Sequence, residues 1–260
     1  MVIFMNIAII TGASSGMGKE FTIQLAPILH KTDEIWLIAR KRDELEELAI
    51  NIEELLGKRV HESGRKPRVK AVPMDVTDDV QLSHFAELLM IQNAGISVLI
   101  NCAGVGTYGA FENLSRDESA QMVRLNVLAL TQMTKFCLPY MRRGSKIIQV
   151  ASGAAFLPQR DFAVYAASKA YVYYFGTALG KELKNKGINV TVVCPGPVDT
   201  PFLSHAYGRY GQISLIKKLT MAKPEKVVRK ALKDCKKKKA VSIYGIPMKL
   251  LYGLTRGLID

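Results

Sequence analysis

The sequence predicts an α/β protein built on a doubly wound parallel sheet of about seven strands flanked by helices. Two observations indicate this fold class. Strand and helix patterns alternate along the whole chain, and an apolar run near the amino terminus leads into a Gly-rich turn and a helix. No repeat, low-complexity tract or domain linker interrupts the pattern. The 260 residues, 48% of them hydrophobic, suffice for one large core, so we expect residues 1–260 to form a single domain.

The alternation places the elements in order. The predicted strands lie near 6–10, 34–39, 68–73, 97–101, 145–151, 189–194 and 240–244. The predicted helices lie near 16–29, 42–56, 78–93, 115–142, 163–186 and 224–236. Parallel strands need such crossover helices between them, so the order of elements itself favours a parallel sheet.

The first strand leads into a turn typical of phosphate binding. Residues 11–18 read Thr-Gly-Ala-Ser-Ser-Gly-Met-Gly, and a helical stretch follows. Strand, Gly-rich turn and helix form the phosphate-binding part of a Rossmann unit, because glycines let the backbone approach a pyrophosphate and the helix start offers free N–H groups. The sequence therefore predicts a dinucleotide site at Gly12, Ser14, Ser15, Gly16, Met17 and Gly18.

The end of the second strand predicts which dinucleotide binds. NAD-binding units carry an acidic residue there that takes the ribose 2′-hydroxyl. This chain has Arg40, Lys41 and Arg42 instead. With no carboxylate to repel a 2′-phosphate, Arg40 is placed to bind it through charge-assisted hydrogen bonds. We therefore expect NADP(H) as the cofactor; the alternative is that these are solvated charges opening the next helix.

Tyr165 and Lys169 are the most informative pair in the chain. Four residues is about one helical turn, so the phenol and the ammonium project from the same face of a helix. A neighbouring cation favours the phenolate and lowers a tyrosine pKa, which makes the phenol a better acid–base group. Ser152, at the end of a predicted strand, is placed to orient a substrate oxygen against the same hydroxyl. Together they predict a proton donor for a carbonyl that is reduced to an alcohol.

Taken together, these motifs resemble the short-chain dehydrogenase/reductase family over roughly residues 6–205, and its hydroxysteroid dehydrogenases in particular. Asn101-Cys102-Ala103-Gly104 is similar to the Asn-Ala-Gly element that braces the sheet of that family. The resemblance implies catalytic roles for Asn126, Ser152, Tyr165 and Lys169. It further implies cofactor contacts for Asp75, Val76, Asn101, Ala103, Gly104, Tyr165, Lys169, Pro195, Gly196, Val198 and Thr200.

The resemblance also implies a mechanism. Tyr165 donates a proton to the carbonyl oxygen, and Ser152 stabilises the charge that develops on it. Lys169 lowers the pKa of Tyr165 and holds the nicotinamide ribose. Asn126 is expected to hold a water that links Lys169 to solvent.

Substrate choice is expected to depend on apolar residues near this trio. The candidate substrate contacts are Phe156, Phe162, Phe202 and Tyr207, and about 197–223 corresponds to the mobile lid of the family. As a set they favour a bulky hydrophobic ketone or alcohol, such as a hydroxysteroid. Two alternatives remain open: a 3-oxoacyl carrier-protein reductase, whose acidic carrier suits a basic surface, and a non-catalytic NADP-binding sensor.

The positive charge of the chain is concentrated near its carboxyl end. The net charge is +13, and residues 217–239 hold eleven Lys or Arg against Glu225 and Asp234. A solvated helix face is one interpretation; an acidic protein, an anionic lipid or, last, nucleic acid are the others. The basic helix precedes an apolar tail at 240–260, and the two together suggest a possible peripheral membrane contact. Nothing matches a nucleic-acid-binding module.

The remaining features favour a cytoplasmic enzyme. Cys102, Cys137, Cys194 and Cys235 show neither disulfide nor metal-ligand spacing, so we expect reduced thiols and no metal. We find no cleaved signal and no apolar stretch of the ~20 residues that span a bilayer. A homodimer or homotetramer is expected from the family, although the unusual tail puts the tetramer in doubt.

Overall fold

A computed structural model describes residues 5–29, 31–58, 66–92, 94–208, 211 and 219–256. Seven parallel strands form one sheet in the order β3-β2-β1-β4-β5-β6-β7. They are β1 Asn6–Thr11, β2 Glu34–Ala39, β3 Arg68–Pro73, β4 Gly95–Asn101, β5 Met141–Val150, β6 Asn189–Val193 and β7 Val241–Ser242. The order runs outward from β1 in both directions, so the predicted doubly wound fold is confirmed.

Helices cover both faces of the sheet. They are α1 Gly16–Leu25, α2 Arg42–Gly57, α3 Asp79–Ile91, α4 Arg116–Val123, α5 Leu130–Cys137, α6 Ala163–Glu182, α7 Pro201–Tyr207, α8 Pro224–Lys236 and α9 Ile246–Arg256. Short 3₁₀ turns occupy Ala26–Ile28, Phe111–Asn113, Leu138–Tyr140 and Gly153–Phe156, and a π-helical segment occupies Arg124–Ala129.

Side chains alternate between two cores, one on each face of the sheet. Ile7 and Ile9 of β1 join Trp36 and Phe85 in one core, whereas Ala8 and Ile10 point to the opposite core. Successive side chains of a strand face opposite sides, and both faces here are covered by helices. This explains why the central strands read as continuous apolar runs.

Several predicted boundaries are wrong for identifiable reasons. The helix predicted at 115–142 is divided by the π-helical segment and ends before Met141, where β5 begins. Pro27 falls where α1 was predicted to continue, and the chain changes there to a 3₁₀ turn. The tail predicted at 240–260 is a short strand followed by α9, with 257–260 outside the described residues. Of the predicted lid, 197–223, α7 is described, whereas 209–210 and 212–218 are not.

Candidate active site at the carboxyl edge of the sheet

The carboxyl ends of four adjacent strands bring the candidate site residues together. Gly12 follows β1, Cys102 follows β4, Ser152 follows β5 and Pro195 follows β6. Because parallel strands end at the same edge, the loops that were distant in sequence become neighbours there. The backbone N–H of Gly153 donates to the carbonyl of Pro195 at 2.7 Å, which joins two of these loops directly.

The glycine turn has room only for glycine at its tightest point. Gly12 and Gly16 have φ of +67° and +50°, a region that other residues rarely adopt. A Cβ atom on Gly18 would lie 1.9 Å from the carbonyl oxygen of Gly12, and one on Gly12 would lie 2.8 Å from Cα of Ala103. The turn therefore packs tightly against its own backbone and against the loop after β4.

The start of α1 is suited to an anion. Ser15 is its N-cap residue, but its side chain makes no capping hydrogen bond, and the first turn contains no acidic residue. The leading N–H groups of a helix attract negative charge. Ser14 and Met17 are partly exposed beside this turn and Ser15 is exposed. The residues present therefore fit the pyrophosphate of a dinucleotide.

Arg40 lies exposed immediately after β2. The N–H of Ala13 donates to the carbonyl of Ile38 at 3.2 Å, which holds the glycine turn next to this strand end. Lys41 and Arg42 are paired with Glu44 and Glu46, whereas Arg40 makes no ion pair within the part of the chain that the structure describes. Of the three cations in this run, Arg40 is the one available to a ligand.

Asp75 and Val76 follow β3, at the same carboxyl edge of the sheet as Arg40. The Asp75 carboxylate accepts hydrogen bonds from the N–H and the hydroxyl of Thr77, at 2.9 and 2.7 Å. Its backbone N–H donates to the side chain of Gln81 at 2.9 Å, and Val76 is buried. These contacts fix the turn from which the family resemblance implies cofactor contacts.

Thr11 joins β1 to the loop after β4. Its hydroxyl oxygen accepts from the N–H groups of Cys102 and Ala103, at 3.1 and 3.2 Å. Sequence reasoning missed this residue, because a threonine ending a strand gives no distinctive signal.

Asn101 faces the sheet and α5. Its amide donates to Thr134 at 2.9 Å and to Gln149 at 3.1 Å, while its Oδ1 atom is buried without a hydrogen-bond partner among the described residues. Gln149 also donates to Thr134, at 3.0 Å. The side chain of Asn101 therefore braces the sheet, and this agrees with the bracing role in the family better than with a cofactor contact.

Ser152, Tyr165 and Lys169 meet where β5 ends and α6 begins. Tyr165 and Lys169 are buried, and the Ser152 side chain lies beside the Tyr165 hydroxyl. The ammonium of Lys169 donates to the carbonyl of Val150 at 3.0 Å and lies 5.8 Å from the centroid of the Tyr165 ring. The predicted spacing on one helix face is confirmed.

The charge states differ from the expectation for Tyr165. Burial raises the pKa of Tyr165 to about 12, and the neighbouring Ser152 side chain only partly opposes this. Burial also lowers the pKa of Lys169 to about 8. The lowered pKa expected for Tyr165 is therefore not observed, because desolvation of the phenolate outweighs the contacts that favour it.

Asn126 lies buried inside the π-helical segment. Its side chain accepts from the N–H of Val105 at 2.9 Å and donates to the carbonyl of Val105 at 2.8 Å and to Ser168 at 3.0 Å. Gly104 lies between it and Lys169, since a Cβ atom there would be 3.1 Å from both the Asn126 oxygen and the Lys169 nitrogen. Sequence reasoning missed Ser168 and the wider helical turn.

Aromatic rings cover the outer side of Tyr165. Phe162 stacks on it at 4.3 Å between centroids, and Phe202 of α7 lies at 5.5 Å. Tyr207 packs against Phe162 at 6.1 Å and stacks at 4.6 Å on Tyr108, a residue that sequence reasoning missed. The N–H of Tyr108 donates to the carbonyl of Ala206 at 2.8 Å, which ties the loop after β4 to the end of α7.

Phe156 does not join this cluster. Its ring packs against Tyr252 of α9 at 5.1 Å and against Tyr173 at 5.8 Å. Of the four candidate substrate contacts, the structure therefore places Phe162, Phe202 and Tyr207 around Tyr165 and leaves Phe156 in a separate core under α9.

The segment after β6 connects the lid to both halves of the site. Gly196 touches Met248 of α9, Val198 is buried, and Thr200 is the N-cap of α7. A Cβ atom on Gly16 would lie 3.3 Å from Cβ of Thr200, so this segment adjoins the glycine turn. A cleft of about 410 Å³ opens beside it, lined by Asp199, Thr200, Pro201, Leu203, Ser204 and Met221.

Comparison with known proteins identifies the arrangement. The family model described as short chain dehydrogenase matches residues 6–209. The chain is 32% identical over 202 residues to 17-beta-hydroxysteroid dehydrogenase type 3 of Mus musculus, covering 76% of this chain and 62% of that protein. It is 32% identical over 229 residues to the very-long-chain 3-oxoacyl-CoA reductase of Neurospora crassa, covering 86% and 63%. The chain thus spans less than two thirds of the length of both relatives.

A solved structure shows the same fold over nearly the whole chain. It is a short-chain dehydrogenase from Sphingobium yanoikuyae in complex with NADPH. The two are 26% identical and superimpose with a TM-score of 0.79, covering 98% of this chain and 95% of that one.

Proposed function

Because the chain belongs to the short chain dehydrogenase family, we propose that it is an NADP(H)-dependent oxidoreductase. It interconverts a ketone and a secondary alcohol on a bulky apolar, hydroxysteroid-like substrate. The observation that carries this proposal is the buried Tyr165, with Ser152 at its hydroxyl, Lys169 across its ring and aromatic rings on its outer side. A neutral phenol in apolar surroundings is suited to protonate the oxygen of an apolar ketone.

The catalytic residues act in sequence on that oxygen. Tyr165 transfers its phenolic proton to the carbonyl oxygen, and Ser152 donates a hydrogen bond to the same oxygen while its negative charge develops. A bound NADPH supplies the hydride that completes the alcohol. Lys169 then stabilises the phenolate that Tyr165 has become, since an adjacent cation favours the charged form.

Asn126 acts through the groups that its side chain holds in position. Its side chain holds the backbone of Val105 and the hydroxyl of Ser168, and its oxygen lies beside Gly104, opposite Lys169. This places the opened π-helical turn next to the lysine. Such interruptions of a helix are frequent at functional sites, which supports a role in returning a proton to Lys169 through water.

The cofactor is held by the residues that line the carboxyl edge. The glycine turn and the start of α1 bind the pyrophosphate, Asp75 and Val76 flank the adenine, and Arg40 binds the 2′-phosphate. The loop residues Ala103 and Gly104, together with Tyr165, Lys169, Pro195, Gly196, Val198 and Thr200, surround the nicotinamide half. The NADPH complex of the Sphingobium yanoikuyae relative supports this choice of cofactor.

Titration with each nucleotide tests the role of Arg40. Arg40→Ala should weaken NADPH binding about tenfold or more and leave NADH binding unchanged, because a charge-assisted hydrogen bond contributes roughly 1.5–3 kcal/mol. Arg42→Ala is the matched control, since Arg42 is paired with Glu46. Equal binding of NADH and NADPH by the unchanged protein would sink the NADP(H) assignment.

A second candidate is reduction of a 3-oxoacyl thioester. The relative from Neurospora crassa favours it, and the same apolar rings would accept an acyl chain. NADPH consumption should be measured against a panel of ketosteroids, a long-chain 3-oxoacyl-CoA and a 3-oxoacyl carrier protein. Turnover of a ketosteroid alone supports the first candidate, turnover of a thioester alone supports the second, and silence on all three favours an NADP-binding sensor.

The helices α5 and α6 are the proposed dimer contact. Leu128 is 50% exposed in the segment before α5, and Tyr174 of α6 is 51% exposed. Tyr171 stacks on Phe175 at 5.7 Å along the same helix, which gives a broad aromatic surface. Sedimentation equilibrium of Tyr174→Lys should show a weakened homodimer; an unchanged assembly would exclude this contact.

A further inference from the structure

The helix α9 has one face on the active site and another in solvent. Met248, Leu251 and Tyr252 pack inward. Ile246, Leu250 and Leu254, spaced by four residues, point outward and are 73%, 63% and 73% exposed. Residues at this spacing lie above one another on a helix, so the three form one continuous apolar stripe, called the α9 stripe below.

The inward face fixes the helix in place. A Cβ atom on Gly153 would lie 2.1 Å from Cε of Met248, and one on Gly196 would lie 3.0 Å from its Cγ, so the methionine fills space that these glycines leave open. The rings of Tyr252 and Phe156 are 5.1 Å apart, and the hydroxyls of Tyr252 and Tyr173 are 3.3 Å apart. Because Met248 and Tyr252 occupy the inward face of α9, the α9 stripe faces solvent.

The charge around the stripe selects its partner. Residues 240–256, which lead into and form α9, contain no acidic residue and carry Lys249 and Arg256. Lys249 is exposed next to Leu250. A second copy docking face to face would bring these cations together, whereas an anionic lipid surface complements both the apolar stripe and its cations.

The basic run at the end of α8 is not part of this surface. Lys236–Lys239 precede β7 and therefore lie at the amino edge of the sheet, whereas α9 follows β7 and touches the loops at the carboxyl edge. We therefore attribute the expected membrane contact to α9 and not to Lys236–Lys239. None of the helices in the described ranges is long and apolar enough to cross a bilayer, so the contact is peripheral.

We propose that the α9 stripe docks on an anionic membrane surface, with Ile246, Leu250 and Leu254 entering the headgroup region and Lys249 meeting lipid phosphates. The proposal concerns binding alone and does not depend on which substrate the site reduces.

Vesicle cosedimentation of the full chain tests the proposal. The probes are vesicles of phosphatidylcholine alone and of phosphatidylcholine with phosphatidylserine, at physiological salt. We expect binding to the anionic vesicles only, and a loss of at least about tenfold in affinity for Ile246→Ser with Leu250→Ser and Leu254→Ser. The matched control places serine at Ile50, Met90 and Ile91, which are 59%, 65% and 76% exposed on α2 and α3.

Three outcomes would overturn the proposal. One is no binding of the unchanged protein to anionic vesicles. Another is loss of binding when Lys236–Lys239 become Gln, with binding retained by the α9 triple-serine variant. The third is an oligomer that the triple-serine variant dissociates without any vesicle binding, which would assign the stripe to a second copy. Circular dichroism of each variant confirms its fold, and turnover is assayed separately.

Discussion

The residue that sets the pH dependence of the proposed reaction is Lys169. Burial lowers its pKa to about 8, so it is charged below that pH and neutral above it, while Tyr165, with a pKa raised to about 12, stays protonated throughout. A neutral lysine no longer stabilises the tyrosinate formed by proton transfer. The value of kcat/KM for ketone reduction should therefore be level near neutrality and fall as pH rises through about 8. A profile that stays level to about pH 10 would remove this role for Lys169.

The Ser152 hydroxyl provides a second test among the catalytic residues. It lies beside the Tyr165 hydroxyl and accepts from the N–H of Ala154 at 3.1 Å. Ser152→Ala should lower kcat by roughly 100-fold, because one donor to the developing oxyanion is lost. NADPH binding should be unchanged. Steady-state kinetics measure the fall in kcat, and nucleotide titration measures NADPH binding. An equal loss of kcat and of NADPH affinity would mean that the serine is structural.

Individual residues were predictable to the extent that they belong to short motifs. The spacing of Ser152, Tyr165 and Lys169 and the basic run after β2 follow from the sequence. Thr11, Ser168 and Tyr108 do not, because their contacts join segments that are far apart in the chain and depend on how the loops meet. The separation of Phe156 from Tyr165 was not predictable for the same reason, since its partner Tyr252 comes from a helix that sequence reasoning treated as a tail.

The glycine turn before α1 makes a prediction at the scale of an element. Gly18→Ala would place a Cβ atom 1.9 Å from the carbonyl of Gly12, so the turn must open and the first N–H groups of α1 lose their alignment. NADPH affinity should fall at least about tenfold, which corresponds to 1.4 kcal/mol. Gly57→Ala is the control, because nothing lies within 4 Å of a Cβ atom there. Equal affinity of both variants would contradict the proposed phosphate site.

The helix interrupted between α4 and α5 shows a feature that sequence periodicity does not predict. Arg116 to Tyr140 reads as one continuous helix, yet Arg124–Ala129 is π-helical. The hydrogen bonds of Asn126 to both backbone groups of Val105 accompany this change, and they come from a loop about twenty residues away. Local propensity contains no information about that loop, so only the assembled site reveals the interruption.

The edge of the whole sheet depends on one buried carboxylate. Asp234 of α8 accepts hydrogen bonds from Lys230 and from Ser242 of β7, the latter at 2.8 Å, and lies 3.5 Å from Lys239. Burial of the carboxyl raises its pKa, but these partners outweigh that and hold the pKa below its ordinary value of 3.8. The stabilisation is therefore present above pH 3.8 and lost as the pH falls through the lowered value.

Replacing the Asp234 carboxylate should lower the stability of the protein and reduce the loss of stability in acid. Asp234→Asn should lower the free energy of unfolding at neutral pH by about 1–3 kcal/mol, because charged partners lose their acceptor. The loss should shrink in acid, where the unchanged protein is protonated as well. Urea unfolding at neutral and acidic pH measures both, with the exposed Asp43→Asn as control. A deficit that stays constant with pH would mean that the charge of Asp234 does not stabilise β7.

At the scale of the whole molecule, the fold was the most predictable feature. Alternating apolar and helical patterns, with glycines after the first strand, predicted a doubly wound parallel sheet of about seven strands. The segment after Ser242 was the least predictable, since Pro247 and Gly253 interrupt the helical pattern of α9 in the sequence. Its inner face is recognisable only because Met248 fills the space beside Gly153 and Gly196.

The most direct test of the account is turnover by Tyr165→Phe. The substitution removes one hydroxyl and keeps the ring between Phe162 and Phe202. With a ketone that the unchanged protein reduces, NADPH consumption should fall at least about 100-fold, the contribution of a positioned proton donor. Binding of NADPH, followed by fluorescence in the same samples, should be unchanged. Turnover that survives alongside intact binding would contradict Tyr165 as the proton donor.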